Sequence, residues 1–215
     1  VLAQAVSLRA GHAPWANPVM LSVAVLAGVL LATGTAYPTY FAGAQFIHFL
    51  LGPAVVALGW PLWQRRAALR ARWGRLVLAS LAGGTAAAAS AVGLGWALGL
   101  PGDVLMSLAP KSVTAPVAMG VAAQIGGVPA LAAVFAALTG MVGALSARWL
   151  FGLMRLPTDA EGMALRGFAL GTASHGIGAA HAMQVNADAG AYAGLALGLQ
   201  VVLAAVLMPL VFRLF

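Results

Sequence analysis

The chain contains no cysteine, so disulfides, thiolate metal sites and cysteine nucleophiles are all excluded. Charge is almost as scarce. Eleven Lys and Arg and four Asp and Glu make up 7% of the 215 residues, where a soluble domain carries roughly a quarter. None of these four residue types occurs in 10–64, 76–102, 112–147, 167–187 or 189–212, and about 20 such residues cross a bilayer as helix. Period-2 alternation, the mark of a membrane barrel, is missing from these runs. Lipid offers backbone groups no water, which leaves helices as the expected spanning element. A basic region followed by a short apolar core is also lacking at the start, so no cleaved signal peptide is expected and the mature chain should begin near this point.

What charge there is lies unevenly. Arg65, Arg66, Arg70, Arg72 and Arg75 fall in one short stretch between two apolar runs, the pattern of a cytoplasmic loop rather than of a nucleic-acid footprint. No nucleic-acid partner is expected. The composition implies an all-α integral membrane protein, one domain over 1–215, with six or seven membrane segments in a bacterial cytoplasmic membrane. Residues 18–34 read as a first span opened by Asn17-Pro18 and closed at Gly34. Residues 36–63 read as a second, broken or kinked at Gly52-Pro53. A third covers 76–100 and a later one 129–153. The last runs over 189–213. Asp103, Asp159, Glu161 and Asp188 fall between the runs and read as solvated ends, while Tyr37, Tyr40, Trp60 and Trp63 suit interfacial belts.

Two stretches fit this scheme less easily. The first is "PKSVTAPVAMGVAAQIGG", whose apolar part, 112–125, is too short to span. With the arginine stretch inside, span 76–100 ends outside, and the span closing at Arg148 and Arg155 must end inside. Segment 112–125 must then enter and leave on one side, as a re-entrant element surrounded by protein or by a water-filled cavity. Pro110 and Pro116 flank it as structural breaks. The second stretch, "RGFALGTASHGIGAAHA" within 160–185, reads as a broken helix. Pro53 and Pro116 each sit in a small-residue segment ahead of a full span, which suggests an inverted repeat of the kind that places transporter substrate sites at interrupted helices.

Lys111 opens the short segment, where a lysine at the bilayer centre costs roughly 2.5–3.5 kcal/mol. It either snorkels to the headgroups or joins the free N–H groups of a helix N-terminus and the hydroxyls of Ser112 and Thr114 to hold an anion. His175 and His181 are six residues apart, about 240° around a helix, so they cannot share one metal ion. Neither metal nor other cofactor is expected. Each histidine is either a core residue satisfied by a backbone carbonyl or, for His175, a proton carrier and a carboxylate donor beside Thr172 and Ser174. Ser174 is no hydrolase nucleophile, because G-x-S-x-G is absent, and no enzyme activity is expected. Arg166 can pair with substrate or with Glu161. Gly167/Gly171 and Gly194/Gly198 are helix-packing pairs, and their abundance predicts a homodimer or small homo-oligomer.

The stretches "NPVMLSVAVLAGVLLATG", "YFAGAQFIHFLLGPAVVAL", "PKSVTAPVA", "GGVPALAAVFAALTGMVGA" and "RGFALGTASHGIGAAHA", in this order, resemble the LrgB/CidB family of bacterial membrane proteins. The family usually carries a second threonine where Ala115 stands. Two functions come with the resemblance. One is antiholin-like control of murein hydrolase export and autolysis, with a small LrgA/CidA-type membrane partner. The other is transport of small carboxylates such as pyruvate, and of glycolate and glycerate by the similar plastid translocator. Interrupted helices holding a lysine and a histidine at depth favour transport of a small monocarboxylate. Lys111, Ser112, Thr114, Thr172, Ser174 and His175 are then the binding residues, with His175 the candidate for proton coupling.

Overall fold

A computed structural model describes residues 2–10, 16, 18–57, 60, 63 and 66–212. Among the described residues the secondary structure is helical throughout, in two compact units, 1–57 and 58–215. The first holds α1 (Leu2–Arg9), α2 (Pro18–Thr33) and α3 (Tyr37–Ala57). Proline opens α2 and a left-handed Gly34 closes it. Pro53 lies inside α3, and the helix continues through it without the expected break. Residues 58–59, 61–62 and 64–65, and with them the end of the expected second span, lie outside the described residues.

The second unit holds α4 (Arg66–Ala97), α5 (Gly102–Leu108), α6 (Ala115–Ile125), α7 (Pro129–Leu153), α8 (Ala160–Val185) and α9 (Ala187–Phe212). The expected arginine loop is instead the start of α4, which takes in Arg66, Arg70, Arg72 and Arg75. Arginine and alanine are strong helix formers, and at 32 residues α4 runs to roughly 48 Å, long enough to hold these charges beyond a hydrocarbon core of about 30 Å. Among the described residues, three helical stretches are long and apolar enough to cross a membrane, 70–97, 129–153 and 187–212, with shorter apolar helices at 21–33 and 115–125. The six or seven segments expected counted re-entrant and broken elements as well as full crossings, and α8 is a broken one.

At His175 the backbone leaves helical space (φ 41°, ψ −132°), and α8 divides into an outgoing arm, 160–174, and a returning arm, 176–185. The reversal is nearly complete. A methyl group at Gly178 would lie 2.6 Å from the carbonyl oxygen of Leu170, eight residues earlier, a separation of about 12 Å along an unbroken helix. Asp159 opens the hairpin by accepting the Gly162 N–H at 2.8 Å. At the far end Asn186 stops the returning arm and caps α9, accepting from Asp188 and Ala189. Helix α9 then runs parallel to the outgoing arm: Gly167 meets the backbone of Ala189, and Gly171 that of Ala193. The Gly167/Gly171 pair is therefore a packing device inside one chain, where a missing Cβ lets two backbones touch.

A second, shorter excursion occupies 102–125. Ser107 Oγ accepts the Val128 N–H at 2.8 Å, and a Cβ on Gly127 would lie 2.8 Å from the Ser107 nitrogen. The chain thus returns beside the last turn of α5, having passed through the turns at 109–114 and α6. Left-handed Gly126 (φ 87°) ends α6 and Pro129 starts α7, so α6 and α7 form an antiparallel pair with Ala118 and Ala122 against Ala132 and Ala136. Pro116 sits in the first turn of α6, where its missing N–H costs nothing. It starts a helix while Pro53 lies within one, so the two prolines do not mark equivalent breaks.

Candidate functional site

Helix α7 is the common wall of both hairpins. Its face repeats a small residue every fourth position, Ala132, Ala136, Gly140 and Ala144, all buried. On that wall α6, 11 residues long, rises roughly 16 Å from the turn at Gly126. Its N-terminal end therefore reaches the middle of α7, where Ala115 packs with Ala136 and its neighbours. The tip of the α8 hairpin arrives at the same height. The His175 Nε2–H donates to the Ala136 carbonyl at 2.7 Å, its ring occupies the notch at Gly140, and Ser174 fills the notch at Gly143. A methyl on Gly140 would stand 2.7 Å from His175 Cε1. Two chain reversals thus meet one helix at one level, about halfway along its 25 residues.

The first tip carries Lys111, Ser112 and Thr114. Pro110, Ser112 and Val113 are buried and Lys111 is half-buried. The lysine ammonium makes one long contact, 3.4 Å to Ser112 Oγ, and among the described residues it forms no ion pair. Thr114 is the N-cap of α6 by its backbone, accepting from Val117 and Ala118, yet its hydroxyl caps no N–H. A cation and an uncapped helix start therefore share the tip, which is the electrostatic requirement for an anion.

The second tip is more constrained than its sequence suggested. His175 is fully committed at Nε2, because a carbonyl can only accept, so Nδ1 is the nitrogen left to take up a proton. Ser174 is fully buried and its hydroxyl has no partner among the described residues. Thr172 faces elsewhere. Two residues from Ser174, it lies about 200° around the helix, bonding the Phe168 carbonyl at 2.9 Å with its methyl against Gly83 of α4. Among the described residues no hydrogen bond joins Lys111, Ser112 or Thr114 to Thr172, Ser174 or His175. His181 is half-buried on the returning arm.

Arg166 does not pair with Glu161. Its Nη2 donates to the Leu156 carbonyl and its guanidinium lies 5.7 Å over the Phe151 ring, pinning the loop between α7 and α8. Glu161 faces Arg72 across 3.9 Å, both side chains more than half exposed, a pair of little energetic weight. It does place the starts of α4 and α8 at the same end of the unit. Residues to which the sequence did not point include Ala136, Gly140 and Gly143 and the Ser80–Gln200 pair. Gln200 Nε2 donates to the Ser80 carbonyl at 2.6 Å. Beyond that bond α4 and α9 part to leave a cavity of about 510 Å³, apolar along Ala88, Val92, Leu203 and Leu207 and separate from both tips. No group of three or more His, Cys, Asp or Glu capable of holding a metal occurs among the described residues.

The LrgB-like family matches residues 1–214. The holin-like protein CidB of Staphylococcus aureus is 30% identical over 203 residues, 94% of this chain and 86% of its own length. YxaC of Bacillus subtilis is 31% identical over 202 residues, 94% and 86% of the two chains. The CidB of Staphylococcus epidermidis is 28% identical with the same coverage. No solved structure matches the chain. With nearly its whole length covered and the apolar helices that a membrane protein requires, the chain belongs to the LrgB-like family.

Proposed function

We propose that the protein is a secondary transporter of small monocarboxylates, of the pyruvate, lactate or glycolate class. The observation that carries the reading is the meeting of two helix reversals at the middle of α7, one with Lys111, which has no ion pair among the described residues, beside an uncapped helix start, the other with His175 and the Ser174 hydroxyl, which has no partner among them. Discontinuous helices facing one another at mid-depth are how transporters bind an ion without unpaired backbone in lipid. In this reading 102–125 and 160–185 are re-entrant hairpins entering from opposite sides, each following a full span, α4 and α7, in an inverted repeat. Lys111 with Ser112 and Thr114 holds the carboxylate, Ser174 and His175 close over it, and Nδ1 of His175 takes the coupled proton. The decisive experiment is uptake of labelled pyruvate, lactate and glycolate into vesicles holding the purified protein. Accumulation above protein-free vesicles is expected, and none for all three retires the carboxylate.

The topology has its own check, simplified by the absence of cysteine. Cysteines introduced at Asp103 and Gly127 are expected to react with an impermeant maleimide from one side of the membrane, and cysteines at Glu161 and Asp188 from the other. Labelling of Asp103 and Gly127 from opposite sides removes the first hairpin from the membrane scheme, and the same result for Glu161 and Asp188 removes the second.

The holin-like name of the staphylococcal relatives supports a second reading, an antiholin-like modulator of murein hydrolase export and autolysis. Under it, deletion alters autolysis even when no carboxylate moves. Assembly as a homodimer, with or without a small LrgA/CidA-type membrane partner, is compatible with both readings, and light scattering in nanodiscs tests it.

A further inference from the structure

We propose that the α8 hairpin is a gate: its tip unseats from the Gly140–Gly143 notch of α7 and carries the returning arm with it, opening the mid-depth site toward the side from which the hairpin enters. The inference rests on the transport reading for its purpose, but its evidence is separate.

The two arms of the hairpin are held unequally. The outgoing arm is fixed against α9, where Gly167 and Gly171 bring backbones into direct contact, and against α4 through Phe168, which packs with Leu76, Val77 and Leu195. The returning arm, 176–185, buries Gly178, Ala179 and Ala182 and touches α9 where Gly190 meets Met183, while the side chains of Met183 and Val185 stand exposed. Three small residues bury little apolar surface, so this arm belongs to the weakly held part of the structure. Both its ends are non-helical, His175 at one and extended Asn186 (φ −160°, ψ 138°) at the other. A short rigid helix between two non-helical residues can move as a body while those residues absorb the rotation.

The tip itself carries opposing terms. The left-handed backbone at His175 is unfavourable for a residue with a side chain, and the Ser174 hydroxyl is buried without a partner, which is unfavourable as well. Against these stands the His175–Ala136 hydrogen bond, together with a close fit into the two glycine notches. Opening breaks the bond and gives both strained groups relief. A seat with compensated gains and losses has the small free-energy difference that a two-state element requires. Gly140 and Gly143 are thus positioning residues that set how far the tip enters, and Gly176, with open space around it, gives the vertex room to turn.

A disulfide lock tests this. In the Gly143→Cys/Ser174→Cys variant the new Cβ on residue 143 lies 3.0 Å from Cβ of residue 174, about half an ångström inside the span of a disulfide, so the tip backs off slightly as the bond closes, and no native cysteine competes. Hydrogen exchange in nanodiscs is read first, because it needs no substrate. In the native chain, amides of 176–185 are expected to exchange about tenfold or more faster than those of 160–173, as a low-stability segment does, and oxidation of the variant is expected to remove the difference. Because Ser174 belongs to the proposed binding site, the lock is read by exchange alone. Equal exchange in the two arms of the native chain overturns the gate, even if the double variant fails to fold. Fast exchange of 176–185 that persists in the locked form overturns it as well. Fast exchange in 176–185 of the native chain combined with no carboxylate uptake by vesicles holding that native chain retires the carboxylate reading and leaves the gate standing.

Discussion

Replacing Lys111 with Met is expected to abolish carboxylate uptake while leaving the fold intact. A lysine half-buried at a hairpin tip, with no acidic partner among the described residues, has given up hydration without gaining an ion pair. Methionine of similar length fills the same space without that cost, so thermal stability should hold or rise. Transport should respond in the opposite direction. Removing one member of a desolvated charge pair costs roughly 2–5 kcal/mol, a factor of roughly thirty to more than a thousand in uptake at low substrate concentration. Arginine at the same position keeps the charge but not the compact ammonium, and should retain part of the activity. Substitution of Arg75, exposed in the first turns of α4, is expected to leave uptake nearly unchanged. Should Lys111→Met transport like the native protein, the lysine is an interfacial anchor and the anion binds elsewhere.

Several elements were legible in the sequence because polar residues interrupt the apolar runs there. The limits of α7, Pro129 and Leu153, follow from the glycine pair ahead of it and the arginines behind. Those of α8 and α9 follow from Asp159 and from Asn186 with Asp188. The short α6 was legible from Pro116 and Gly126, which stop a helix by their own backbone preferences. The arginine stretch was misjudged because charge marks the membrane boundary and not the helix boundary: α4 simply continues past the lipid. Of the two outcomes expected at Pro53, a break does not occur, because a proline weakens a helix locally without having to end it.

The reversal at His175 was legible only as a break. A run of 26 residues is long enough to span, and both arms keep helical periodicity, so a kinked span and a hairpin share one pattern. What decides between them is the fit of Gly178 to Leu170, and of Gly167 and Gly171 to α9, which are contacts between distant residues. The site residues divide in the same way. Lys111, Ser112 and Thr114 stand out as polar groups in an apolar chain, and the structure keeps them together. Gly140 and Gly143 act by what they lack, and among 27 glycines nothing in the sequence singles them out.

Substitution of Gly167 and Gly171 together by Ala is expected to be the most damaging change to the fold. At each position the new methyl meets backbone rather than a yielding side chain: the Ala189 carbonyl carbon at 2.6 Å and Cα at 2.7 Å, and the Ala193 carbonyl carbon and Cα at 2.8 Å. Neither can rotate away, so the outgoing arm must separate from α9. Overpacking of this kind costs roughly 1–3 kcal/mol per site, against alanine's intrinsic advantage over glycine of about 1 kcal/mol in a helix. The separation also pulls Leu170, Ala193 and Leu197 out of a shared core, and because both sites load the same interface their costs should not simply add. A marked fall in melting temperature in detergent, with loss of uptake, is the expected result. Gly120→Ala on α6, where nothing lies within 4 Å, is the control and should be neutral or slightly stabilising. The experiment also separates packing within one chain from packing between chains. If the glycine pair served a dimer contact instead, the double variant would dissociate into folded monomers that melt at the native temperature. The backbone contacts with α9 predict instead that the monomer itself loses stability, at any protein concentration.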